Sequence, residues 1–148
     1  MCTAVFAATK DTATISVTNA GKATLTYAQV IIADQSTKTG WNFVDNDVAS
    51  AYMTAFGVSD AQAAIEAMIP AKSVNANKLC DAQANAAGKV KFVSMANPQT
   101  VNEAGVYLVK ATEAGYTYNL MSAYIGYGEV TNTENGRSEE HTSELQSL

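Results

Sequence analysis

The stretch Ala104-Gly-Val-Tyr-Leu-Val-Lys-Ala-Thr-Glu-Ala-Gly-Tyr116 is the most informative segment of this 148-residue chain. Its β-branched, aromatic and apolar residues predict a strand from Gly105 to Thr112, and the Glu-Ala-Gly sequence that follows predicts a turn. Lys110 has the same strand parity as Val106 and Leu108. Its amine is therefore either buried and reactive or, as is commoner at a strand end, extended towards water.

Two further strands are predicted near the start of the chain. Residues 14–18 alternate polar and apolar side chains, as in a half-buried strand, and residues 22–33 end in a longer apolar run. A turn signal at residues 19–21 separates them, so we expect the two strands to form a hairpin. Trp41 and Phe43 fall on one side of a third extended segment.

The hydrophobic period changes to that of helices in the middle of the chain. Apolar residues recur every four positions in residues 47–56, and the Ala-rich residues 77–87 also predict a helix. Between these two, Ser59 and Gln62 have the spacing of a capping box that starts a third helix. Cys80 lies among Ala and Leu at helical spacing, which favours a small buried apolar side chain.

Strand patterns return after the helices, at residues 89–93 and, beyond the quoted stretch, at residues 116–130. Strands, then helices, then strands predict an α+β domain that is mainly β. We expect an antiparallel sandwich or barrel with two or three short helices inserted on one flank. The sequence shows no internal repeat.

The charge of the chain argues against some classes of partner. The chain has 9 basic and 14 acidic residues, and without its last twelve residues it has 8 and 11, a net charge of −3, and no arginine. Binding to a phosphate backbone needs clustered cations, so we expect no nucleic-acid partner. No apolar run approaches the roughly 18 residues that span a bilayer, so we expect no membrane insertion of the mature domain.

The two ends of the chain differ from its middle. Residues 137–148 (Arg-Ser-Glu-Glu-His-Thr-Ser-Glu-Leu-Gln-Ser-Leu) resemble the translation of a common short-read sequencing adapter. We interpret them as a disordered artefact, and we base no functional argument on them. Residues 1–8 resemble the end of a signal peptide, with Val5-Phe-Ala7 as the small-residue cleavage pattern, which predicts export. Residues 131–136 are expected to begin a linker.

Few residues of the chain suggest chemistry. Asp45-Asn46-Asp47 resembles the start of a calcium loop but lacks the Gly and Glu at loop spacing, so a helix cap explains it better. Gly126 and Gly128 precede no helix or Lys, which favours a bend over a phosphate loop. Trp41 and the tyrosines are candidates for a sugar-binding platform, although most have the spacing of core residues. We expect no metal, no cofactor and no enzymatic activity.

Residues 104–116 are similar to the strand-turn signature of collagen-adhesin B-type and pilin domains of Gram-positive bacteria, a Gly-x-Tyr-x-(Val/Leu)-Lys-Glu-Thr run followed by Gly-Tyr. Three other segments resemble, in their sequence and in their order along the chain, parts of the amino-terminal domain of sortase-assembled fimbrial subunits. They are Thr26-Tyr-Ala-Gln-Val-Ile31, Thr39-Gly-Trp-Asn-Phe-Val-Asp45 and Tyr116-Thr-Tyr-Asn-Leu-Met-Ser-Ala-Tyr124. The resemblance covers residues 9–130 and implies an Ig-like β-sandwich.

Many members of this family contain an internal Lys–Asn isopeptide bond, formed beside a buried carboxylate. Such a crosslink would replace the intrachain disulfide that Cys80 cannot form once the signal peptide is removed. The resemblance suggests Lys22 as the amine, Asn119 as the amide and Glu113 as the acid. Each of these is more simply a surface or turn residue, and Ala111 occupies the usual position of the acid. Amino-terminal pilin domains often lack the bond.

The resemblance implies a structural subunit of a fimbria, located outside the cell on the cell wall, with a role in adhesion. Its partners would be neighbouring pilin subunits joined by a sortase, and a host protein or glycan ligand is also to be considered. Two alternatives remain open. One is a wall-anchored adhesin module that does not polymerise, and the other is an extracellular carbohydrate-binding or carbohydrate-active module.

Overall fold

The structure, a computed structural model, describes residues 12–68, 75–126 and 141–146. In these residues three strands are followed by three helices and then by five strands, the order predicted for an α+β domain that is mainly β. In chain order the elements are β1 (Ala13–Thr18), β2 (Thr24–Ala33), β3 (Trp41–Phe43), α1 (Asn46–Phe56), α2 (Ala61–Glu66), α3 (Ala76–Ala87), β4 (Val93–Ser94), β5 (Gln99–Val101), β6 (Gly105–Thr112), β7 (Met121–Ile125) and β8 (His141–Gln146).

Two sheets form the β part of the fold. The larger sheet has the strand order β3-β2-β6-β7, with the short β4 also paired to β2, and its pairings are antiparallel. The smaller sheet has the order β5-β1-β8. The pairing of β2 with β6 runs from the Thr24/Thr112 pair to the Ile32/Gly105 pair, and it is the longest in the described residues.

The expected hairpin of the first two strands is wrong. β1 pairs with β5 and β8, whereas β2 pairs with β3, β4 and β6, so the two strands belong to different sheets. The turn between them has left-handed backbone at Asn19 (φ 60°) and Gly21 (φ 59°). This turn carries the chain from one sheet to the other, and Ile15 of β1 and Leu25 of β2 both lie in the core between the sheets.

β6 separates two hydrophobic cores. Tyr107 and Val109 lie in the core between the two sheets, while Leu108 lies in the core between the larger sheet and the helices. The strand is therefore buried on both faces over these residues, which explains its nearly continuous apolar sequence. The fold thus has three layers, the smaller sheet, the larger sheet and the helices.

The first helix is confirmed together with its predicted face. Val48, Tyr52 and Phe56 of α1 are buried in the core between the helices and the larger sheet. The Asp45 carboxylate accepts a hydrogen bond of 2.9 Å from the Val48 amide, so the acidic cluster there is a helix cap, as predicted. Gly57, with φ 71°, ends the helix.

α2 starts from a different cap than the sequence pattern predicts. Asp60, not Ser59, is the N-cap, and its carboxylate accepts a hydrogen bond from the Gln62 amide. The Gln62 side chain does not reach back to the cap; its amide donates to the Trp41 carbonyl at 3.0 Å and joins α2 to β3. Ser and Asp cap helices about equally well, so the sequence does not distinguish these two neighbouring positions.

Cys80 is exposed on α3, so the prediction that it is buried is wrong. The buried side chains of α3 are Ala82 and Ala86. Because the helix carries small apolar residues on more than one side, its hydrophobic pattern fits two opposite faces, and tertiary packing selects between them.

The segment between α3 and β6 departs most from the sequence pattern. Of the strand expected at residues 89–93, only Val93 is paired, as the first residue of β4, and β5 was not predicted. The Asn97 side chain fastens this segment to β1, because its oxygen accepts from the Val17 amide and its nitrogen donates to the Val17 carbonyl, both at 2.9 Å. The peptide bond between Asn97 and Pro98 in this segment is cis.

A β-bulge in β2 lies beside Gly105. The register shifts between Gln29 and Ile31, and the Gln29 side-chain amide donates to the carbonyls of Ile31 and Ala104, both at 3.2 Å. A Cβ atom at Gly105 would overlap the Ile31 carbonyl oxygen, and the residue has φ 154°, a conformation that L side chains rarely adopt. Only glycine therefore fits at this position of β6, next to the bulge.

The chain passes from the smaller to the larger sheet at a corner between β5 and β6, and Tyr107 fixes this corner. The side chain is buried, and its hydroxyl donates a hydrogen bond of 2.7 Å to the Glu103 carbonyl. Burial raises the pKa of Tyr107, with a smaller contribution from the Glu103 carboxylate, so the hydroxyl stays a neutral donor.

The expectation that residues 137–148 are disordered does not hold for His141–Gln146. These residues form β8, which pairs with β1 in parallel from the Ala13/His141 pair to the Thr18/Gln146 pair. The origin of this segment stays a prediction. The proposed signal remnant at residues 1–8, the linker at residues 131–136 and Gly128 lie outside the described residues.

Replacement of Gly105 by alanine should destabilise the fold more than the same change at Gly115. Both glycines have positive φ, but a Cβ at Gly115 meets nothing within 4 Å. We expect Gly115→Ala to lower the free energy of unfolding by about 1–2 kcal/mol through backbone strain alone. Gly105→Ala adds a clash with the β2 backbone and should cost about 3 kcal/mol or more. Urea denaturation measures both, and equal losses would contradict the role assigned to the bulge.

Candidate functional site

Two of the three residues suggested for an isopeptide bond lie near the end of β6. Lys22 and Glu113 line one open depression of about 650 Å³. Glu113 is half-buried, and its carboxylate accepts a hydrogen bond of 2.8 Å from the Tyr118 hydroxyl, which raises the pKa of Tyr118. Lys22 and Asn119 are exposed, and Asn119 does not line the depression. The structure thus brings the amine and the acid to one place.

The surroundings of this group differ from those that isopeptide chemistry uses. The reaction needs a desolvated Lys that loses its proton readily and a neutral acid that polarises the amide. Lys22 is in contact with water, and Glu113 is already held by a tyrosine hydroxyl. The isopeptide assignment therefore stays a prediction from the resemblance, without the buried environment that would favour it.

Lys110, the other candidate amine, is also exposed. Its ammonium nitrogen lies 4.1 Å from the centroid of the Phe92 ring, at the side of the larger sheet that faces the helices. This is the arrangement of a Lys that extends its apolar stem along the sheet and keeps its charge in water, stabilised by a cation–π contact. Of the two alternatives from the sequence, the structure shows the extended one.

The described ranges contain no group of three His, Cys, Asp or Glu side chains that could hold a metal ion. Within those ranges, no helix is long and apolar enough to cross a membrane. The predicted calcium-like sequence at residues 45–47 is used by the helix cap described above.

A cleft lies between the helices and the larger sheet. It has a volume of about 250 Å³. We call it the aromatic cleft. Ile31, Val106 and Tyr124 line it from the sheet, and Tyr52, Ile65 and Leu79 line it from the helices.

Trp41 completes one wall of the aromatic cleft. Its ring lies 5.6 Å from that of Tyr124, with an angle of 60° between the ring planes, an edge-to-face arrangement. The two residues come from β3 and β7, which are the outer strands of the larger sheet, so their side chains meet across its face. Tyr124 is 54% exposed and forms the rim, whereas Trp41 is half-buried and tied to α2 through Gln62.

The aromatic cleft has few polar groups. None of its lining residues is charged, and its polar side chains besides the aromatic ones are Gln83 and Ser122. Tyr52 is fully buried, and its hydroxyl has no hydrogen-bond partner in the described structure. Burial raises the pKa of Tyr52, so the hydroxyl remains neutral and able to donate. Most buried tyrosine hydroxyls in proteins find a partner, which makes this one unusual.

Sequence reasoning did not find this cleft. The helical period placed Tyr52 in the core correctly, and the strand pattern placed Trp41 and Phe43 on one side of β3. The sequence did not show that β3 and β7 are the two edge strands of the same sheet. The available signal was a tyrosine at a core position of a helix, since its hydroxyl needs a partner that the apolar face does not supply.

Comparisons with known proteins identify no relative. No protein-family model matches the chain, and neither the search of curated proteins nor that of solved structures finds a significant similarity.

The two buried tyrosines should respond differently to loss of their hydroxyls. Tyr107→Phe removes a hydrogen bond and should lower the free energy of unfolding by about 1 kcal/mol. Tyr52→Phe removes a buried hydroxyl without a partner, so stability should stay the same or rise by up to about 1 kcal/mol. Thermal or urea denaturation of both variants checks this. A loss in Tyr52→Phe as large as that in Tyr107→Phe would show that the Tyr52 hydroxyl is paired.

The exposure of Lys22 and Asn119 predicts that this domain forms no Lys22–Asn119 bond. We expect the intact mass of the purified chain to show no loss of ammonia, and Lys22→Ala to leave the melting temperature nearly unchanged, as for most surface substitutions. A mass lower by one ammonia in the wild type, restored to the calculated value in Lys22→Ala, would demonstrate the bond.

Proposed function

We propose that this chain contains the amino-terminal domain of a structural subunit of a cell-surface fimbria. In this proposal the domain is exported, acts outside the cell on the cell wall, and is joined to neighbouring subunits by a sortase. The observation that carries the proposal is the signature stretch at residues 104–116. Its strand residues form β6, the strand on which both hydrophobic cores are built.

The corner at Tyr107 supports the finer proposal of an Ig-like sandwich. In Ig-like domains a tyrosine near the start of a strand donates its hydroxyl to the backbone a few residues upstream, where the chain crosses between sheets. Tyr107 is the tyrosine of the Gly-x-Tyr signature, and it makes such a bond with Glu103 between β5 and β6. One signature residue thus has a structural task that fits the proposed family.

The Gly105 position gives a second physical reason for the signature. The first glycine of Gly-x-Tyr is the one residue that fits beside the Gln29–Ile31 bulge. A sequence motif that combines this glycine with the Tyr107 hydroxyl would be retained in any domain that has the same corner between two sheets. The glycine and the tyrosine both support a common fold with the pilin domains, whereas the fimbrial role rests on the resemblance.

The nearer alternative, an adhesin module that does not polymerise, is favoured by one specific observation. The aromatic cleft with its exposed Tyr124 rim is a surface that can hold a ligand, and a shaft subunit does not require one. The edge-to-face packing of Trp41 and Tyr124 is less suited to the carbohydrate alternative, since a sugar ring stacks on a flat aromatic face and here the two rings are inclined.

Polymerisation distinguishes the fimbrial role from the adhesin role. The full-length gene should be expressed together with a sortase in a Gram-positive host, and the product should be probed with antibodies raised against residues 12–126. A fimbrial subunit would give a ladder of covalent polymers that resists boiling in detergent.

The matched control for this experiment is the same host with an inactive sortase. There the ladder should collapse to the single-subunit band while the amount of subunit stays the same. A single band with active sortase, accompanied by surface labelling, would contradict the fimbrial proposal in favour of the adhesin module. Loss of surface labelling would contradict both.

A further inference from the structure

We propose that the edge of β1 that faces β8 is a strand-acceptor site, which binds an extended segment of another protein chain in parallel to β1. The segment takes the place of β8 and carries apolar residues at three alternate positions, opposite Ala13, Ile15 and Val17. The proposal rests on backbone pairing and on the core beneath β1, so it does not depend on the fimbrial role.

The other edge of β1 is already paired within the domain. β5 pairs with the first half of the strand, and the Asn97 side chain continues this pairing with hydrogen bonds of 2.9 Å to the amide and the carbonyl of Val17. The main-chain groups of successive residues in a strand point to opposite edges, so those of Thr14, Ser16 and Thr18 point towards β8. These groups need a strand beside them, because an edge strand is a template for pairing with another chain.

β8 shows how a strand lies at this edge. It pairs in parallel with all six residues of β1 and is the outer strand of the smaller sheet. It also lies next to β7, the outer strand of the larger sheet. A strand in this position therefore covers one side of the core between the two sheets.

The inner face of β1 sets the chemistry of the partner. Ala13, Ile15 and Val17 are buried in the core between the sheets, to which Met121 and Ala123 of β7 also belong. This core consists of apolar and aromatic side chains. Residues opposite each other in a sheet lie on the same face, so a strand beside β1 presents every second residue to this core. Apolar residues are favoured at those positions.

The sequence of β8 meets this requirement at one position of three. The residues opposite the three buried ones are His141, Ser143 and Leu145. Polar residues are unfavourable at core positions, so the backbone of β8 pairs well but its sequence fits poorly. β8 thus marks the position and the direction of a strand at this edge, and a better matched segment should displace it. Such strand addition uses main-chain hydrogen bonds for affinity and alternate side chains for specificity.

Two capped peptides of equal composition test the site on the whole 148-residue chain. The first, Val-Thr-Ile-Glu-Val-Gln, has apolar residues at the three positions that face the core. The second, Val-Ile-Val-Thr-Glu-Gln, lacks the alternation and places at most two apolar residues there. We expect the first peptide to produce saturable NMR shifts at the amides of Thr14, Ser16 and Thr18. Its half-saturation concentration should be about tenfold lower than that of the second, the effect of one buried apolar side chain.

Two proline variants show whether the peptide takes the place of β8. In the parallel ladder the amides of Ser143 and Leu145 point to β1, whereas that of Glu144 points away. Ser143→Pro removes one of these donors, so β8 competes less and the first peptide should bind about three- to tenfold more tightly. Glu144→Pro keeps the ladder and should bind the peptide as the wild type does.

A better matched β8 should have the opposite effect. His141→Val combined with Ser143→Ile places apolar residues opposite the buried face of β1. This variant should raise the melting temperature by about 3–6 °C and weaken binding of the first peptide about tenfold or more. Thr142→Val combined with Glu144→Ile is the matched control on the other face of β8, and it should do neither.

A spin label at the amino terminus of the first peptide reports its direction. Parallel pairing predicts stronger broadening of the Ala13 amide than of the Thr18 amide. The reverse order, equal affinity for the two peptides, or binding that neither Ser143→Pro nor the apolar β8 variant changes would each overturn the proposal. Absence of saturable shifts in both the wild type and Ser143→Pro would overturn it as well.

Discussion

The antiparallel pairing of β2 with β6 is the interaction on which the rest of the structure depends. It joins two strands that have one hydrophobic core on each face. The smaller sheet packs on one face of this pair, and the helices pack on the other. The bulge at Gln29 and the glycine at position 105 set its register near the corner where the chain changes sheets. A shift of one residue would exchange the residues of the two cores.

The aromatic cleft follows from this arrangement. Because β3 and β7 lie on opposite sides of the β2–β6 pair, Trp41 and Tyr124 extend over the outer face of the sheet and meet above it. The helices cover the remainder of that face, and α1 places Tyr52 against it without a partner for the hydroxyl. A polar group is thus left without a partner in an apolar layer.

The sequence predicted those elements whose pattern is local. The α1 helix, its Asp45 cap and β6 were found because hydrophobic period and cap chemistry act within a few residues. The hairpin of β1 and β2 was wrong because pairing is decided by tertiary packing, and the attachment of β5 was missed because it depends on the side chain of Asn97 eighty positions from Val17. Cys80 was misplaced because α3 has apolar residues on two sides. The candidate residues Lys22 and Glu113 came from the family resemblance. The aromatic cleft was not predicted, because it forms only where residues from both edges of the larger sheet meet the helices.

Native-state hydrogen exchange measures the central role of the β2–β6 pair most directly. If both cores depend on this pairing, its amides, such as those of the paired residues Ala28 and Leu108 in the middle of the ladder, should exchange only through global unfolding and be the slowest in the chain. The helices should open at lower free energy while the ladder persists. The account would be contradicted if the amides of α1 exchanged more slowly than those of β2 and β6. The helical layer would then be the most stable part of the fold, and the stability of the sheet would depend on it.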